Sequence, residues 1–151
     1  MPNWIEGTLK IRGTYQDRMR FFNECVNENG LGSGSVTISS DEWGSEIAFK
    51  GEPWVKDSIR AFILDQEIAV GGKKDNKVKV TCLEIKQAWS FDEEGWSKVS
   101  KDYNIDIRFY GFEQGMEFCK EVEIIKGEIT LLKQINYLDW DWECPCPRKG
   151  G

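Results

Sequence analysis

Carboxylates and thiols are the residues here that could do chemistry, because the chain holds no histidine. Its absence removes the commonest general base, the Ser-His and Cys-His nucleophile pairs and the commonest zinc ligand. Three acidic clusters remain: Asp41-Glu42, Asp92-Glu93-Glu94, and the acids of the run Asp139-Trp140-Asp141-Trp142-Glu143. Clustered carboxylates can hold a divalent cation or keep one acid protonated for general-acid work. Each cluster also has a plainer use. Asp92 and Glu93 suit the first turn of a helix, where negative charge meets the positive end of the dipole, and the other two read as solvated loop and tail. Among five cysteines, Cys144 and Cys146 form a Cys-Pro-Cys-Pro run, but no second Cys-x-x-Cys pair completes a tetrahedral site. Gly-rich phosphate loops, the Gly-x-Ser-x-Gly elbow and EF-hand spacing are absent. The reading is a non-enzymatic chain with no catalytic residue, metal ligand set or cofactor.

The aromatic residues offer more. Of seven tryptophans, Trp4, Trp54, Trp89 and Trp96 lie in or beside predicted elements and are expected in the core. Trp140 and Trp142 alternate with acids just before a Pro/Gly/Lys tail. If the run continues a final strand, tryptophan packs on one side while Asp139, Asp141 and Glu143 line the other. Aromatic anchors with a polar rim suit a protein interface, so Asp139, Trp140, Asp141, Trp142 and Glu143 are the candidate partner-binding residues.

The elements that must position them follow from periodicity. Ile5, Gly7, Leu9 and Ile11 alternate with Glu6, Thr8, Lys10 and Arg12, which predicts a half-buried strand. Thr14 opens a Thr-x-x-Asp cap, and Tyr15, Met19, Phe22 and Val26 form one helical stripe ending near Asn29-Gly30, before a glycine-serine turn. Short strands are expected at Val36 to Ser39 and Glu46 to Lys50. Val55, Ile59, Phe62 and Ile63 suggest a second helix with Pro53 in its first turn. From Val78 onward a long strand changes apolar phase after Cys82, as a bulge or burial on both faces would produce. Ser90 and Glu93 fit a capping box for a helix carrying Trp96 and Val99, and strands over 105–112, 117–125 and 128–137 close the chain. The expected fold is α+β: a mostly antiparallel sheet with helices packed on one face.

At 151 residues and 30% charged, the chain suits one globular domain, read as residues 1–138 with residues 139–151 as an acidic-aromatic strand end and flexible tail. The net charge of -6 argues against an extended phosphate-binding face, so direct nucleic-acid binding is not expected. No apolar stretch is long enough to span a bilayer, and the N-terminus lacks the layout of a signal peptide. A cytoplasmic location is expected, with Cys25, Cys82 and Cys119 as buried reduced thiols.

Two segments carry a family resemblance. The start Met1 to Trp4 leading into a strand that ends at Gly13, and the downstream stretch with Trp89-Ser90 and Tyr110 to Gly115, are similar to the YubB ferredoxin-like and Api92-like proteins of phages, plasmids and integrated elements. Glu113 and Gly115 keep that family's acidic-x-Gly order in a hairpin, whereas Ile5 stands where a cysteine is usual, no proline follows Trp89-Ser90, and Cys119 stands where a glycine follows the aromatic. The resemblance implies a ferredoxin-like fold and a mobile-element origin, with no activity to carry over. In that setting the leading expectation is a protein that binds and inhibits a host protein. A nucleic-acid-binding defence protein such as a restriction or CRISPR nuclease is the partner considered, its basic channel blocked by acidic charge. The alternative is a small-ligand or single-stranded nucleic-acid module that stacks bases on Trp89, Phe109, Tyr110 and Phe112.

Overall fold

The computed structural model describes residues 2–27, 34–56, 58 and 60–151. Strand β1 (Trp4–Gly13) runs as its alternation dictates, with Ile5, Leu9 and Ile11 fully buried. Thr14 caps α1 (Tyr15–Arg20), its hydroxyl accepting from Asp17 N at 3.1 Å. A π-helical turn over Phe21–Cys25 widens the helix end before β2 (Val26–Asn27), and Tyr15, Met19, Phe22 and Val26 are all buried as the stripe predicts. The expected helix end at Asn29-Gly30, and most of the turn after it, lie outside the described residues.

Strands β3 (Ser35–Ser40), β4 (Gly44–Lys50) and β7 (Gln66–Gly71) form a small antiparallel sheet in the order β3-β4-β7. Between its members, β5 (Trp54–Val55) and β6 (Ala61–Ile63) occupy the segment read as a second helix. A short apolar run satisfies either period. Here Ala61 to Ile63 pair with β8 (Lys79–Ala88), and Trp54 pairs with Phe62, so sheet pairing overrides the helical spacing. Ile59 lies outside the described residues.

Strand β8 pairs with β1 from Trp4↔Ala88 to Gly13↔Lys79 without a register shift, so the bulge expected near Cys82 is not there. Thr81, Leu83, Ile85 and Gln87 point inward, whereas Val78, Val80 and Cys82 are exposed. The apolar phase changes because surface valines precede the buried positions. Cys82 is therefore not a buried thiol. After β8, α2 (Glu93–Tyr103) is capped by Asp92 rather than Ser90, its carboxylate accepting from Gly95 N at 3.2 Å. Trp96 and Val99 are fully buried; Trp96 donates to Gln87 Oε1 at 3.2 Å and stacks on Phe91, which stacks on Phe109. The chain continues through β9 (Asp106–Glu113), β10 (Phe118–Ile125) and β11 (Glu128–Asn136), then a single turn, α3 (Trp140–Glu143). The one register shift in these hairpins falls between Glu123 and Ile124.

The large sheet has eight strands in the order β11-β10-β9-β1-β8-β6-β5-β2, and every pairing in both sheets is antiparallel. The ferredoxin-like expectation, α+β with helices packed on one face, is thereby overturned. Strands dominate, and the layer over the large sheet is shared by α1, α2 and the small sheet, which contributes Ile47, Phe49 and Val70 to the main core. The error traces to one segment: losing the second helix and gaining β5, β6 and β7 turns a helix layer into a second sheet. Among the described residues, no helix is long and apolar enough to cross a membrane.

Candidate functional site

The opposite face of the large sheet carries the candidate residues. In-register pairing of Cys119 with Phe112, and of Glu121 with Tyr110, places these side chains on the face away from Phe109 and the main core. Trp140 lies over Phe112 and Cys119 and closes a second, smaller core with Cys144, against which Tyr137 packs. Tyr137 and Trp140 meet edge to face with centroids 5.5 Å apart, and Trp140 Nε1 donates to Pro147 O at 2.6 Å.

The Asp-Trp-Asp-Trp-Glu run does not continue β11. It turns into α3, with Glu143 N donating to Asp139 O at 2.8 Å and Cys144 N to Trp140 O at 3.0 Å, while Asp139 N donates to Glu143 Oε1 at 2.7 Å. This turn decides which tryptophan faces out. A strand sends residues two apart to the same face, but a helix rotates them by about 200°. Trp140 is accordingly 5% exposed and Trp142 86% exposed. Asp139, Asp141 and Glu143 are exposed, and Leu138, beside them, is 98% exposed. The structure thus brings the five candidate residues into one turn but divides their roles: Trp140 anchors, Trp142 projects, and the acids form a rim.

Leu138 was not among the sequence candidates, although an apolar residue directly after an alternating strand and before the acids was a signal for it. Nor is the following segment free of contacts. Lys149 Nζ pairs with Glu84 at 3.3 Å and Gly151 N donates to Trp4 O at 2.8 Å, so residues 144–151 lie as a strap along the outer face.

A thiol-phenol cluster borders the small core. The sulfur of Cys119 is 3.3 Å from the Tyr137 hydroxyl and 3.9 Å from that of Tyr110. Burial, helped by the hydrogen bond to Cys119, pushes Tyr110 up to about 12 and raises Tyr137 as well. Burial also raises the Cys144 thiol, partly offset by the Cys146 backbone N–H directed at it.

In the other two acidic clusters, Asp41 and Asp92 accept from backbone N–H groups and Glu93 pairs with Lys120. Asp41 accepts from Trp43 N at 2.7 Å and Gly44 N at 3.0 Å, and those two donors hold its carboxyl below the usual carboxylate range. Among the described residues, no group of three or more Cys, Asp and Glu side chains is placed to hold a metal ion. The residues of the family resemblance converge at one end of the sheet. Trp89 N donates to Asn3 O at 2.7 Å, and a Cβ on Gly115 would come within 2.5 Å of the Asn3 carboxamide. Fully buried Glu113 accepts from Gly115 N at 2.6 Å and Met116 N at 2.9 Å, and buried Lys120 joins Ser90 and Phe91 O to Glu93. Their arrangement is a tight junction. Trp89 itself is 58% exposed at a φ of 69°, contrary to its expected place in the core.

Of the aromatic residues considered for base stacking, Phe109 belongs to the main core and Phe112 lies under Trp140, while Tyr110 and Trp89 are exposed. Comparison with known proteins finds no matching family model, no matching curated protein and no matching solved structure.

Proposed function

We propose that the chain is a non-enzymatic binding protein that engages a host protein through the turn at its C-terminal end. One observation carries this reading: Leu138 and Trp142 are the two most exposed large apolar side chains among the described residues, and they stand beside three carboxylates on a turn pinned by a buried tryptophan. A tryptophan side chain has few rotatable bonds and so loses little conformational freedom on binding, which is how aromatic anchors gain affinity. Asp139, Asp141 and Glu143 suit a basic rim on the partner and would act on association rate and salt dependence. The finer proposal, a cytoplasmic counter-defence factor of a phage or other mobile element acting on a nucleic-acid-binding defence protein, draws on the family resemblance and the net charge of -6. Affinity capture from host lysate tests it, with Trp142→Ala as the matched control. A stoichiometric partner retained by the parent chain and lost by the variant supports the reading; equal retention by both overturns it.

A second reading has its own observation. Tyr110 borders a groove of about 300 Å³ on the bare sheet face with Lys10 and Arg108, an arrangement that suits stacking of a nucleobase beside a phosphate. It is the weaker of the two, because Arg108 already pairs with Glu123 at 2.6 Å and Glu121 at 3.6 Å, and Arg12 with Asp106 at 2.7 Å. A salt-sensitive gel shift with single-stranded oligonucleotides, lost in Tyr110→Ala and kept in Trp142→Ala, would favour it.

A further inference from the structure

We propose that Cys119 and Cys144 are a redox pair whose disulfide bolts the C-terminal strap to the outer face of the large sheet. Both thiols are buried, and both belong to the same small core, which is separate from the main one. Cys119 sits on β10, which is paired on both sides by β9 and β11, whereas Cys144 is the first residue beyond α3, so a bond between them joins a strand held within the sheet to a peripheral element. Few side chains hold that peripheral element. Beyond the small core, the described residues give it one ion pair and a handful of hydrogen bonds, and such a segment opens locally at much less cost than global unfolding.

In the closed form Cys119 and Cys144 are buried, so their reaction begins from the opened form. There Cys144, as its thiolate, attacks a low-molecular-weight disulfide such as glutathione disulfide. A Cys144–glutathione disulfide forms, and one glutathione leaves as a thiolate that takes up a proton. When the strap recloses, the sulfur of Cys119 attacks the Cys144 sulfur and displaces the second glutathione. Two protein thiols are oxidised, one glutathione disulfide is reduced to two thiols, and the two protons pass to them. The hydroxyls of Tyr137 and Tyr110 face Cys119 and remain protonated near neutral pH, so they can donate to the attacking thiolate. A reducing glutathione pool runs the same steps backward and frees the strap. This inference stands apart from the choice of binding partner, and its test contains none.

The test uses the double variant Cys82→Ser, Cys146→Ser, which removes the two exposed thiols, beside the parent chain. Each is treated with glutathione disulfide, blocked and digested with trypsin without reduction. The expected product joins the peptide 109–120 to the peptide 134–148 within one molecule whose intact mass has fallen by two hydrogens. Amides of residues 144–151 should then exchange at least about tenfold more slowly than in the reduced protein. Adding Cys119→Ser or Cys144→Ser must abolish the linked peptide. Free thiols on both Cys119 and Cys144 after treatment, a stable mixed disulfide on either of them, or linkage only between molecules would overturn the proposal.

Discussion

Replacing Trp140 and Trp142 by alanine, one at a time, should give opposite results although the two residues stand two positions apart in one turn. Burying a tryptophan removes about 150–250 Å² from water, which at about 25 cal/mol per Å² corresponds to roughly 4–6 kcal/mol. Residual burial in the unfolded chain lowers that figure, and loss of the Nε1 bond to Pro147 O adds about 1 kcal/mol. With 5% of its surface exposed, Trp140→Ala should therefore cost about 3–5 kcal/mol. Trp142, 86% exposed, should cost within about 0.5 kcal/mol. Urea unfolding measures the global part. Hydrogen exchange over residues 144–151 measures the local part, because the strap loses its clamp before the main core melts. Equal destabilisation by the two variants would mean that the run is a strand with both tryptophans on one face, and the helical turn would be wrong.

Arg18 is fully buried, and its guanidinium donates to Gly13 O, Thr81 Oγ1, Gly71 O and Lys77 O; Arg18→Ala orphans those acceptors and should lower stability by about 3–5 kcal/mol in a denaturant titration. At Gly7 a Cβ would lie 2.1 Å from Tyr110 O, so Gly7→Ala should force β1 from β9 and cost about 3 kcal/mol or more by melting temperature. Asp41 and Glu123 both titrate below the usual carboxylate range in the folded protein, Asp41 through the Trp43 and Gly44 N–H groups and Glu123 through Arg108 and then Thr130. Their contribution is therefore full above the unfolded carboxyl range and disappears as pH falls through the lowered folded values. Thermal melts from pH 6 down to about 2 should show a shallower acid limb in Asp41→Asn and Glu123→Gln than in the parent; parallel limbs would refute this.

Much of the strand framework was legible because period-two alternation over long runs has one interpretation. Ile5 to Gly13 and the three closing strands are where the pattern puts them. The stripe of Tyr15, Met19, Phe22 and Val26 was equally clear, although nothing in it announces a π-helical turn at Phe21 to Cys25. Reading failed where local spacing and tertiary pairing disagree. Val55, Phe62 and Ile63 fit a helix, but an unfilled sheet edge at β8 offered Ala61 to Ile63 backbone partners that no local pattern reveals. The candidate site was half legible. Alternating acids and tryptophans picked out five residues that the structure gathers in one turn, yet the strand reading missed that a helical turn would bury Trp140 and project Trp142, and residue type alone gave no sign that Cys144 would join Cys119 in the small core.

The central claim is that the exposed turn, not the bare sheet face, is the contact surface, and equilibrium binding to the partner captured from host lysate tests it most directly. Trp142→Ala should weaken binding by about 2 kcal/mol or more, roughly thirtyfold in Kd. The triple variant Asp139→Asn, Asp141→Asn, Glu143→Gln should chiefly slow association and flatten its salt dependence. Tyr110→Ala, on the sheet face, should bind as the parent does. If folded Trp142→Ala and the triple variant both bind within about twofold of the parent while Tyr110→Ala does not, the contact lies on the sheet and the account is contradicted.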